Sequence, residues 1–117
     1  MASRLRRTHV KALAPTALST TIAAVWDPPA GKRVRLMGVS NIRETAGTAL
    51  TVAVTNGTAA AAGTIGYFGV AAGAAVTDDI DFGDKGLYAD LDAVLGFKTL
   101  ANGGTISCTL IGREEPF

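Results

Sequence analysis

The chain has 117 residues, a formal net charge of +1 and 48% apolar residues, the excess lying in Ala and Gly rather than in Leu and Phe. That length specifies one domain, which buries roughly two-thirds of its unfolded surface and so has a self-sufficient but modest core. A single cysteine, Cys108, excludes an internal disulfide, and no run of about 18 apolar residues is present to form a membrane-spanning helix.

Residues 1–15 read as a basic N-terminal arm, with Arg4, Arg6, Arg7, His9 and Lys11 set among Leu5, Val10 and Leu13. A short helix from Arg4 to Leu13 is an alternative, ended by Pro15. Lys11 and Pro15 also break what would be the apolar stretch of a signal peptide, so the chain is expected to be made and used without secretion.

From Thr16 the pattern turns to β. Thr20, Thr21, Ile22, Val25 and Trp26 are strand formers. Asp27-Pro28-Pro29-Ala30-Gly31 is a turn, because proline fixes φ and glycine accepts positive φ. Over residues 32–42, Val34, Leu36 and Ile42 face one way and Arg33, Arg35 and Asn41 the other, the period of a half-buried strand. Leu50, Val52 and Val54 alternate with Thr51, Ala53 and Thr55, and Asn56-Gly57 follows as a hairpin signal. An Ala/Gly loop over 58–63 leads to a short strand at Thr64–Phe68; a helix over 58–62 is too short and glycine-flanked to stand alone. Weak alternation around Ile80 and Phe82, a Gly83–Gly86 turn, short strands at Leu87–Ala89 and Ala93–Phe97, and a final strand at 105–111 complete the domain. Cys108 is in phase with Ile106 and Leu110, which makes it a small buried hydrophobe.

About eight short strands with turns every 8–12 residues specify an all-β fold. The expected architecture is an antiparallel, jelly-roll-like β-sandwich over residues 16–113, with a short polar tail at 114–117. A small closed barrel is the alternative.

Charge is distributed unevenly. Residues 1–43 carry eight positive side chains and one negative, whereas residues 44–117 carry three positive and nine negative. Such a chain can pair head to tail with copies of itself or present one face to an oppositely charged partner, unless folding interleaves the charges. Asp78, Asp79, Asp81 and Asp84 form the densest acidic segment. Carboxylates this dense can bind calcium, but their spacing is not that of a helix-loop-helix calcium loop and no glutamate closes it, so no residue is assigned to a metal. A solvated loop and a docking site for a neighbour's basic arm both remain open.

No catalytic constellation is legible. His9 is the only histidine and lies in the arm, so no catalytic residue is assigned and no enzyme is expected. Gly31-Lys32 lacks the earlier glycine and the following Ser or Thr of a phosphate-binding loop, and no cofactor is expected. The arm's cations could contact nucleic-acid phosphates, but no aromatic residues interleave with them for base stacking; no nucleic-acid partner is expected. Ordering about fourteen arm residues costs on the order of 14–28 kcal/mol of backbone entropy, which only a large interface repays.

The segment Ala24-Val25-Trp26-Asp27-Pro28-Pro29-Ala30-Gly31-Lys32-Arg33-Val34-Arg35-Leu36-Met37-Gly38 resembles one found in small virion proteins of tailed bacteriophages. There a strand ends in Pro-x-x-Gly-Lys before a basic/apolar strand that closes near glycine. Gly83-Asp84-Lys85-Gly86-Leu87, Val94-Leu95-Gly96 and the Gly103-Gly104 turn into a strand ending at Gly112 fit the same likeness, which covers roughly residues 17–113. The resemblance implies a virion structural protein, most simply a capsid decoration (cement) protein. Such a protein sits as an oligomer, a trimer by preference, on the assembled shell and bridges major capsid subunits. The arm lies outside the matched region. The partner-binding residues expected on this reading are Arg4, Arg6, Arg7, His9, Lys11, Arg33, Arg35, Asp78, Asp79, Asp81 and Asp84. A tail, fibre or head-fibre component that binds another virion protein or a host glycan is the alternative.

Overall fold

Period-2 alternation places one apolar row on each of two sheets, and the two rows bury each other. A computed structural model describes residues 8–72, 76–77, 79–83 and 85–116. The strands are β1 (His9–Leu18), β2 (Ala23–Trp26), β3 (Lys32–Glu44), β4 (Leu50–Asn56), β5 (Thr64–Val70), β6 (Val76–Thr77), β7 (Ile80–Asp81), β8 (Leu87–Tyr88), β9 (Leu95–Thr99) and β10 (Gly104–Pro116). No helix occurs among the described residues. One sheet has the order β1-β10-β3, with β6, β7 and β8 in succession along the far side of β3; the other has the order β2-β9-β4-β5. Every pairing is antiparallel.

The pairs nest. β4 with β5 forms the innermost hairpin, β3 with β6–β8 lies outside it, then β2 with β9, and β1 with β10 is outermost. Two further pairings, β10 with β3 and β9 with β4, join the layers into sheets. Val34, Leu36, Val39, Ile42, Ile106 and Leu110 from the first sheet meet Val52, Val54, Phe68, Leu95 and Phe97 from the second in a single core. The rings of Phe68 and Phe97 meet edge to face at 5.3 Å.

Residues 9–15, expected in the arm, are already strand: His9 pairs with Gly112 and Leu13 with Cys108. The possible Arg4–Leu13 helix is therefore extended from His9 onward. The backbone hydrogen bonds that β10 offers, and packing of Leu13 against the core, repay much of the ordering cost. Pro15 does not end β1; it falls at a register shift on an edge strand, where its missing N–H costs nothing. The expected tail at 114–117 is also strand as far as Pro116, because β10 follows β3 to Lys32. The strands are more numerous than eight and not all short, since β3 and β10 each run for 13 residues.

Two local devices set the ends of β3. Gly31 closes the preceding turn at φ 80°, and its N–H donates to Asp92 Oδ1 at 2.6 Å. Glu44 is fully buried at the other end and accepts the N–H groups of Ala46, Gly47 and Thr48 at 2.6, 2.8 and 2.9 Å. That carboxylate holds the reversal into β4.

A candidate interaction surface on the outer sheet face

Because Val34 and Leu36 point into the core, Arg33 and Arg35 must stand on the outer face of the β1-β10-β3 sheet. Register then brings Glu115 of β10 opposite Arg33, and Tyr88 of β8 opposite Arg35. Arg33 Nε lies 3.3 Å from Glu115 Oε1, and Arg35 Nε lies 3.0 Å from both carboxylate oxygens. Both guanidiniums stack on the Tyr88 ring, at 4.8 and 4.6 Å from its centroid. Arg35 Nη1 also donates to the Lys85 carbonyl. These contacts immobilise two long cations whose rotamer freedom would otherwise oppose binding.

Arg113 lies directly opposite Arg35 on the same face, and its buried Nε has no hydrogen-bond partner among the described residues. Two guanidiniums thus share the Glu115 carboxylate, with Arg113 a neighbour of Arg35 across the strand pair. The patch carries excess positive charge and a half-exposed aromatic ring. It is suited to receive carboxylates or other anions from a partner surface.

Glu114, between Arg113 and Glu115, has the opposite parity and turns inward. It accepts the Trp26 indole N–H at 2.9 Å and lies 3.4 Å from His9 Nε2. Lys11 Nζ stands 5.7 Å from the centre of the Trp26 ring system. His9 and Lys11 are therefore brought together, but around a tryptophan that is only 2% exposed. Trp26 belongs to the core and cannot serve as an exposed platform for a sugar.

The chain matches no family model, no curated protein and no solved structure. Its surface is therefore characterised by its own chemistry alone.

Asp79 and Asp81 are exposed on the same sheet, further along β3 from the arginines. Asp81 pairs with Gly38, and its Oδ1 accepts the Gly83 N–H at 2.8 Å. Arg4, Arg6, Arg7, Asp78 and Asp84 lie outside the described residues. Folding thus keeps Arg33 and Arg35 apart from Asp79 and Asp81 along one face.

Tyr88, Arg113, Glu114 and Glu115 were not foreseen as site residues. The signal for the last three was present: alternation from Ile106 through Leu110 continues in phase to Glu114, so 113–116 is readable as strand. Tyr88 carried no such signal, because only long-range pairing puts β8 beside Arg35.

Cys108 is buried on the inner side of β10, and burial pushes its thiol up to about 12. It takes no part in the surface chemistry.

Proposed function

We propose that this chain is a virion structural protein, most simply a capsid decoration protein that binds an assembled shell and bridges its subunits. The observation that carries this reading is the nested strand order, from β4–β5 at the centre to β1–β10 outside. We read it as a jelly roll, an architecture that recurs in viral capsid and lectin domains. It agrees with the virion likeness of the Ala24–Gly38 segment. Because a fold alone does not assign a function, the partner chemistry is taken from the patch. Arg33 and Arg35 on Glu115 and Tyr88, with Arg113 across from Arg35, suit an acidic protein surface, contacted many times over by an oligomer, trimeric by preference, so that weak single contacts add.

The deciding experiment is the copy number of this chain in purified particles relative to the major shell protein. Hundreds of copies in a simple ratio establish decoration. Complete absence from particles overturns the virion reading.

A second reading, a tail or fibre component that contacts a host glycan, is favoured by Tyr67. That side chain is 57% exposed on the outer face of the other sheet, opposite Ala53, with Lys98 on Ala53's far side. A few to a few tens of copies per particle, with glycan binding lost in Tyr67→Ala, would select it.

A further inference from the structure

A groove of about 270 Å³ opens on the outer sheet face between β3, β7 and β10. Met37, Ile80 and Ile111 give it an apolar lining, Gly38 lies among them, and Asp79 and Asp81 stand on its rim. Gly38 lets β7 approach closely, since a Cβ there would sit 2.7 Å from the Ile80 carbonyl oxygen. The volume falls just below the range of small-molecule sites, which suits one or two side chains of a peptide. Neither Asp79 nor Asp81 has an ion-pair partner among the described residues.

We propose that this groove receives residues 4–7 (Arg4-Leu5-Arg6-Arg7) of a second copy of the chain, linking copies head to tail. Charge and apolarity match: Leu5 meets Met37, Ile80 and Ile111, and the flanking arginines meet Asp79 and Asp81.

Reach is sufficient. Seven residues precede Thr8, enough to span about 24 Å when extended. Val10, Ile111, Gly38 and Asp81 form one row across the sheet, so the start of β1 is one strand spacing, about 5 Å, from the near side of the groove at Ile111 and three, about 14 Å, from its far rim at Asp81. Direction selects the neighbour's segment over the chain's own. β1 begins at His9 opposite Gly112, with its N-terminal end directed toward the Arg113 end of the sheet and away from the Gly38 row. To enter its own groove the segment would have to turn back across Arg113 and Arg35, which repel its arginines. A second copy approaches without that crossing. A head-to-tail contact of this kind closes into a ring or propagates as a filament.

This inference does not depend on the virion reading, and its test uses the isolated full-length chain. Self-association is measured by sedimentation at low and high salt. Two variants are compared: Asp79→Lys with Asp81→Lys, and Arg6→Glu with Arg7→Glu. Each alone weakens association by about tenfold or more, the loss expected for two ion pairs. Mixing the two variants restores it, since the glutamate arm of one now faces the lysine groove of the other. Circular dichroism verifies folding. Should the groove variant fail to fold, the arm variant and competition by a peptide of residues 1–8 carry the test. A wild-type chain that stays monomeric, or association unchanged in the arm variant, overturns the proposal.

Discussion

Glu114 accepts the indole N–H of Trp26 at 2.9 Å, joining residues 88 positions apart at the end of the sandwich. Trp26 is buried, so its N–H needs an acceptor inside the fold. Glu114→Leu leaves that donor unpaired and should cost about 1.5–3 kcal/mol in urea unfolding. Glu114→Gln keeps an acceptor and should cost less. Equal stability of all three proteins would show that the bond contributes nothing.

The buried Glu44 carboxylate serves three backbone donors in the turn after β3. Glu44→Ala should destabilise by about 2–4 kcal/mol, because the turn loses its charged acceptor. Hydrogen exchange at Ala46, Gly47 and Thr48 should accelerate more than exchange in β9. Uniform acceleration would argue that the effect is global.

Burial raises the Cys108 thiol from 9.0 to about 12. The native protein should therefore resist thiol reagents at pH 8 and react once unfolded. The sign of the pH effect follows from linkage. The unfolded chain loses its proton near 9 and the folded chain only near 12, so this stabilising contribution is complete below pH 9. It declines as pH rises from about 9 to about 12. Cys108→Ala should lessen that decline; an unchanged alkaline slope would assign it to other groups.

Charge reversal at Arg33 and Arg35 should abolish binding to an acidic partner such as the proposed shell surface. Stability should fall as well, by roughly 3–5 kcal/mol, because reversal breaks a largely buried, bidentate pair and sets acidic side chains beside Glu115, so folding of the reversed protein is verified by circular dichroism. Partner binding of the wild-type chain should weaken with salt, as exposed charges are screened. Tyr88→Ala should weaken it less, through looser guanidiniums rather than lost charge. Full binding by the doubly reversed protein would place the interface elsewhere.

Much of the architecture was legible in the chain. Alternation at Val34/Leu36 and Val52/Val54 specified strands and their buried sides, and Pro28 to Gly31 specified the turn between β2 and β3. The ends were misjudged for a common reason. His9 to Pro15 is too polar and irregular to read as a strand alone, and at Arg113 to Pro116 the in-phase alternation is masked by charge; both are extended because each finds a long partner in β10 or β3.

The residue types by themselves determined which side chains face inward, since a pleated strand leaves only two sides. They also placed Arg33 and Arg35 outside. Only the tertiary structure decided what those arginines meet. Glu115 and Tyr88 reach them through pairings of β10 and β8 with β3 across 82 and about 50 positions, and such register is set by the packing of the whole core rather than by any local pattern. The same long-range pairing set Asp81 beside Gly38 and so created the groove.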